Sequence, residues 1–359
     1  MLRIGLLTSG GDCQALNATM RGIVKTLINK SAEPVEIYGF EDGYQGLIYG
    51  RYRKMKPKDF SGILVRGGTI LGTSRTPFKR LDIPEADGVE KVPAMKKTYA
   101  KLKLDCLFML GGNGSTKTAN RLRQEGLNVI ALPKTIDNDT WGTDMTFGFT
   151  SAVEVATRCI DDIHTTASSH GRVFVIEIMG HKVGWIPLYA GVAGGADVIL
   201  IPEIPYEMKN VINAIDARME AGHRFTIVVV AEGAISKEDA KLPKKEYKAK
   251  VAARTSPSIA YDLAKEIGTL TGRETRVAIP GHTQRGGVPD AQDRIFATQC
   301  GVEGALGCLD GEFGFMVAKV SGKMCRVPLA DVAGKLKYVD PKSDLVREAR
   351  ALGITFGDE

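Results

Sequence analysis

Short apolar, β-rich runs alternate with helical segments nearly from end to end of the chain. "LRIGLLTS", "VEIYGF", "LDCLFMLGG" and "LNVIALP" read as strands, with helical patterns near 15–30 and 116–125. A second series follows, "RVFVIEIMG", "ADVILIPE" and "RFTIVVVAE", again separated by helical stretches. These strands are continuously apolar rather than alternating. That pattern predicts sheets covered on both faces, hence an α/β fold with mostly parallel strands.

Between the two series lies "TSAVEVATRCIDDIHTTASSH", whose apolar positions 152, 153, 156, 160 and 163 form one helical face. Ser151 with Glu154 reads as a capping box at its start. This helix marks the lobe boundary, and "DAQDRIFATQCGVEGAL" reads as one more helix returning to the first lobe. The expected organisation is two doubly wound, three-layer lobes. One comprises 1–148 plus about 284–335, the other 149–283 plus 336–359. A chain of 359 residues suits two such domains.

Composition changes this picture little: 43% apolar and 25% charged residues are ordinary for a globular protein with a core. "MLRIGLLTSGG" reads as a strand entering a glycine turn rather than a signal peptide, and no apolar stretch approaches the roughly 20 residues of a membrane helix. The six cysteines are scattered without a CxxC pair, which points to a reducing, cytoplasmic setting. Much of the formal charge of +6 comes from "KLPKKEYKAKVAAR" at 241–254. Such a run reads as a solvated face, so neither nucleic acid nor membrane is the expected partner. Small anionic substrates account for the remaining basic residues.

In doubly wound sheets ligands bind beyond the carboxyl ends of strands. Here those ends carry Gly10-Gly11-Asp12, "EDGYQG", "GGNGS" (111–115), "PKTIDND" (133–139), Met179-Gly180-His181, Glu232, and "GHTQRGG" with His282 and Arg285. Glycines at 10, 11, 111, 112 and 114 let backbone N–H groups approach a ligand, and each loop leads into a helix whose start favours anions. Together they would cradle a polyphosphate; tight turns without a ligand are the other reading. No GxGxxG fingerprint is present, which disfavours a dinucleotide-binding dehydrogenase. Arg172, Arg276, His282 and Arg285 form a cationic set suited to a sugar phosphate, although a lone arginine would more often pair with a surface carboxylate.

Asp137 and Asp139 are crowded at one strand end, with Lys134 near enough to offset their repulsion. In phosphoryl transfer one carboxylate accepts the acceptor hydroxyl's proton while cations meet the phosphoryl charge. An Asx turn with a surface lysine is the competing reading.

"LTSGGDCQALNATMRG", "DGYQGL", "GGTILGTSR", "LGGNGS", "PKTIDNDTWGTDMTFGFTSA", "SSHGRVFVIEIMG" and "GHTQRGGVPDAQDR" stand in the order and near the spacing of the 6-phosphofructokinases. The chain resembles that family over about residues 2–320. The resemblance implies a phosphofructokinase-like fold and phosphoryl transfer from ATP or pyrophosphate to the 1-hydroxyl of fructose 6-phosphate, with Mg²⁺, in glycolysis. By matching positions it implies Asp137 as base, with Thr135, Asp139 and Lys134 around the transferring phosphoryl and metal. Gly11, Tyr44, Arg75, Gly112, Asn113, Gly114 and Ser115 would line the donor site. Met179, Gly180, His181, Glu232, His282 and Arg285 would hold the sugar phosphate, with Arg172 and Arg276 reaching it from a neighbouring subunit. A homotetramer or homodimer follows from that sharing.

Two positions depart from the family pattern. Asn113 stands where an acidic residue associated with Mg²⁺ is usual, so Asn113 and Asp139 are the metal candidates here. His181 stands where many members carry arginine. Gly114 leaves room for a nucleotide, whereas Lys134 is typical of pyrophosphate users. The nucleotide's steric requirement is the stricter one, which favours ATP. Pyrophosphate is the alternative, and a catalytically weak regulatory sugar-phosphate-binding subunit a further one.

Overall fold

The computed structural model describes residues 1–359. Eleven strands run in chain order: β1 (Leu2–Ser9), β2 (Val35–Phe40), β3 (Tyr52–Met55), β4 (Cys106–Gly111), β5 (Val129–Pro133), β6 (Val173–Ile178), β7 (Val198–Leu200), β8 (Thr226–Ala231), β9 (Thr275–Ala278), β10 (Phe315–Val320) and β11 (Lys323–Pro328). The helices that matter below are α1 (Leu16–Lys30), α2 (Tyr44–Tyr49), α3 (Lys91–Leu102), α4 (Asn113–Gln124), α5 (Phe149–His170), α6 (Trp185–Ala193), α7 (Met208–Glu220), α8 (Lys237–Ala240), α9 (Lys244–Ala252), α10 (Ile259–Thr271) and α11 (Ala291–Leu309).

The chain divides into two compact units, Met1–Ser151 with Arg285–Lys337, and Ala152–Gln284 with Tyr338–Glu359. The first holds a seven-stranded sheet in the order β11-β10-β5-β4-β1-β2-β3. Its five central strands are parallel; β3 and β11 pair antiparallel at the two edges. β4 and β5 are buried along their whole length, because helices cover both faces of this sheet. α1 packs on α11, and glycines set their spacing. A Cβ on Gly301 would lie 2.3 Å from the Thr19 carbonyl oxygen, so only glycine lets the two backbones cross there.

The strand order steps from β1 to β2 on one side and to β4 on the other. The loops after β1 and β4 therefore part at a topological switch point, where doubly wound sheets bind ligands. The second unit holds four parallel strands in the order β7-β8-β6-β9, with α6, α7 and α10 packed about them. No helix is long and apolar enough to cross a membrane.

Two expectations need correction. α5 begins at Phe149, so Ser151 lies inside the helix instead of capping it. Its hydroxyl donates to Asp293 Oδ2 at 2.6 Å, a tertiary acceptor that outcompetes the local capping bond. α4 begins at Asn113 with Gly112 as its N-cap, so "GGNGS" is not a loop ahead of the helix: Gly111 ends β4 and Asn113, Gly114 and Ser115 form the first turn of α4.

Candidate active site

In the first unit, three neighbouring strands end side by side. β4 lies between β1 and β5, so the Gly10–Asp12 turn, the start of α4 and the Lys134–Asp139 turn are adjacent. Gly10 takes φ 87°, a left-handed bend that a side chain would strain. Its amide donates to the Ser74 carbonyl at 3.0 Å and its carbonyl accepts the Thr73 hydroxyl at 2.8 Å. The neighbouring Arg75 is exposed beside this turn.

At α4 the first-turn N–H groups have no intrahelical acceptor, which makes this a natural phosphate cradle. Ser115 donates to Ser9 Oγ at 2.9 Å and so ties the cradle to the β1 end. Tyr44 is fully buried, and its hydroxyl donates to the Ser115 carbonyl at 2.9 Å. It supports the cradle from beneath. Gly114 is exposed, and a Cβ built there would meet nothing within 4 Å.

Among Lys134–Thr140, Asp137 alone is partly exposed. Thr135 Oγ1 donates to Asp137 Oδ2 at 3.2 Å and accepts the Asp137 amide at 3.1 Å. Asn138 adopts φ 52°, and its Oδ1 accepts from the Thr146 amide at 3.1 Å and from Lys337 Nζ at 2.9 Å. Asp139 is buried; burial and then the charge of Asp137 push its carboxyl up to about 6.

Lys134 is also buried, which pulls its ammonium below the usual range, and Arg285 adds to that effect. Its Nζ donates to the Gly11 carbonyl. Arg285 Nη1 donates to the Asp12 carbonyl at 3.0 Å, and a Cβ on Gly11 would come within 2.8 Å of that nitrogen. The structure thus gathers Gly11, Lys134 and Arg285 at one turn.

A cation fits this donor set. Two like-charged carboxylates, one buried and held uphill of ionisation, gain most from a positive charge. Asn113 Nδ2 donates to the Lys335 carbonyl, which leaves Oδ1 as its acceptor.

In the second unit the expected sugar-phosphate residues form two groups. Met179, Gly180 and His181 follow β6, where Glu232 Oε1 accepts the His181 amide at 2.6 Å and the Gly180 amide at 3.3 Å. His181 sits at φ 54°. The buried Gln284 accepts the Met179 amide at 3.3 Å and donates to the Gly281 carbonyl at 3.0 Å, which ties the turn bearing exposed His282 to the same strand end. Arg172 and Arg276 stand instead at the amino end of β6 and β9. There Arg172 Nε meets Glu274 at 2.8 Å, and Arg276 pairs with the same carboxylate. The length of β6, about 20 Å, separates them from Met179.

A family model described as Phosphofructokinase matches residues 3–306. The chain belongs to the phosphofructokinase family. It is similar to the ATP-dependent 6-phosphofructokinase of Spirochaeta thermophila, at 52% identity over 99% of this chain and 97% of that protein. It is also similar to the pyrophosphate–fructose 6-phosphate 1-phosphotransferase of Amycolatopsis methanolica, at 43% identity over 95% and 97% of the two chains. Among solved structures, Pichia pastoris phosphofructokinase in the T-state matches with TM-score 0.80 at 32% identity, covering 92% of this chain. The chain spans 35% of that longer phosphofructokinase polypeptide. The two-sheet, mostly parallel α/β architecture is the phosphofructokinase fold.

Asn138, Gln284 and Lys337 hold the candidate segments in place and were not singled out by sequence reasoning. Asn138 and Gln284 lie inside motifs already noted, "PKTIDND" and "GHTQRGG", flanked by residues with more obvious chemistry. Lys337 carries no local signal.

Proposed function

We propose that this chain phosphorylates the 1-hydroxyl of fructose 6-phosphate with ATP, giving fructose 1,6-bisphosphate in glycolysis. The observation that carries the reading is the adjacency of Asp137, oriented by Thr135, to the glycine cradle at the start of α4. A proton acceptor stands beside a polyphosphate site, which is the arrangement phosphoryl transfer requires.

Asp137 takes the hydroxyl proton as the sugar oxygen bonds to the γ-phosphorus. The bond from that phosphorus to the bridging oxygen breaks, and ADP leaves with the electron pair. Lys134 and Arg285 meet the negative charge over Gly11, and α4 holds the donor phosphates by its N–H groups. Asp139 with Asn113 would hold Mg²⁺, which supplies neutralisation of phosphate oxygens when bound. Met179–His181, Glu232 and His282 bind the sugar phosphate. Arg172 and Arg276 serve a neighbouring subunit of a homotetramer or homodimer, which accounts for their place at the far end of β6. The free state of all six thiols suits a reducing cytoplasm.

Two observations favour pyrophosphate as a second reading: the buried ammonium of Lys134 at the donor turn, and the similarity to the Amycolatopsis methanolica enzyme. Gly114's open surroundings favour the bulkier nucleotide. Fructose 6-phosphate phosphorylation measured with each donor at equal concentration decides between them. Turnover with ATP and little with pyrophosphate is expected; activity with pyrophosphate alone would overturn ATP, and no turnover with either would overturn the reading itself.

A further inference from the structure

Three consecutive residues at the end of the first unit bind both halves of its site. The Lys335 carbonyl accepts from Asn113 Nδ2, at the first residue of α4. Leu336 forms an antiparallel bridge with Thr140. The Lys337 amide donates to the Asp139 carbonyl at 2.9 Å. The Lys337 side chain then crosses behind the turn, where its ammonium reaches Asn138 Oδ1 at 2.9 Å, the Thr143 carbonyl at 3.0 Å and the Asp144 carbonyl at 2.8 Å. An ammonium has three N–H donors, and three acceptors meet them here.

We propose that Lys337 is a positioning residue for phosphoryl transfer, fixing Asn138 so that Asp137 and Asp139 keep their places on either side of it. The inference rests on the reading of Asp137 as the base. Asn138 is the left-handed residue of the turn, and its side chain is anchored by Lys337 and the Thr146 amide. A change in backbone angle at residue 138 displaces both carboxylates at once. A misplacement of about 1 Å costs about 10²-fold in rate without any lost contact to substrate.

Lys337→Met keeps the unbranched apolar stem of the side chain and removes its three donors. The expected result is a kcat lower by about 30- to 100-fold, with KM for both substrates within about threefold of wild type. Asn138→Gly tolerates the left-handed backbone and removes the Oδ1 acceptor, so it tests the same link without altering the lysine. It is expected to lower kcat comparably, and the double variant to lose little beyond either single one, since the Lys337–Asn138 bond that holds the turn is broken in both. A folded Lys337→Met enzyme with kcat within threefold of wild type overturns the proposal, as does multiplication of the two losses in the double variant. If Lys337→Met does not fold, Asn138→Gly decides alone, and a kcat within threefold of wild type overturns the proposal. Asp137→Asn assayed in parallel separates the two levels. If it retains turnover, the base assignment fails. If it is inactive while Lys337→Met is normal, only the positioning role fails.

Discussion

One hydroxyl serves Asp137 twice: Thr135 Oγ1 donates to its Oδ2 at 3.2 Å and accepts its amide at 3.1 Å. The carboxylate is thereby oriented by its own turn, four residues beyond the end of the fully buried β5. Asp137→Asn preserves shape and removes the proton acceptor. Turnover should fall about 10²- to 10⁴-fold, the range for a positioned base, with the KM for fructose 6-phosphate nearly unchanged. Steady-state kinetics check this, and near-normal turnover would exclude Asp137 as the base.

Gly114 faces open space at the first turn of α4. A Cβ fits there without moving the protein, so Gly114→Asp tests what a carboxylate does to the donor. A carboxylate at the phosphate cradle repels the nucleotide's α-phosphate and narrows the room for adenosine. The variant should melt within a degree or two of wild type. Its KM for ATP should rise at least about tenfold, which corresponds to about 1.4 kcal/mol. An unchanged KM for ATP would place the nucleotide elsewhere.

The candidate residues could be picked out along the chain because they sit where strands stop. Continuous apolar runs marked β1, β4, β5, β6 and β8, and the polar residues that followed each one stood out. The antiparallel edges did not. β3 ("YRKM") and β11 ("KMCRVP") are short, charged and half-exposed, so they lack the buried-strand pattern. Neither did the supports. Lys337 reaches Asn138 across 199 positions, and Tyr44 reaches Ser115 across 71, contacts that exist only once the sheet has formed. The misread capping box has the same cause, since Ser151 finds its acceptor 142 positions away on α11.

Glu232 uses one carboxylate oxygen for two backbone amides, those of Gly180 and His181. Glu232→Gln retains a carbonyl oxygen for them and gives up the negative charge that the proposed sugar site would offer a hydroxyl. Loss of one charged hydrogen bond costs about 1.5–3 kcal/mol, so the KM for fructose 6-phosphate should rise about 10- to 100-fold with kcat little changed. Glu232→Ala should be worse, because the turn carrying His181 then loses its anchor. Equal kinetics for both variants and wild type would remove Glu232 from the sugar site.

Asp293 supplies the acid-range test of the fold. It lies in the first turn of α11, accepts the Gly148 amide at 2.8 Å and the Ser151 hydroxyl at 2.6 Å, and is buried. Burial outweighs these bonds and raises its carboxyl from 3.8 to about 6. The folded protein therefore holds this proton more tightly than the unfolded chain. Its contribution is fully present below the unfolded value and is lost as pH rises through about 6. Asp293→Asn cannot titrate and still offers one acceptor. The stability of wild type relative to Asp293→Asn should thus decline from pH 4 to pH 7, by at most about 3 kcal/mol, and stay level above. Urea denaturation of both proteins across that range reads the difference directly. A wild-type advantage that grows with pH would mean the carboxylate is stabilised as an anion, with its hydrogen bonds to Gly148 and Ser151 outweighing burial.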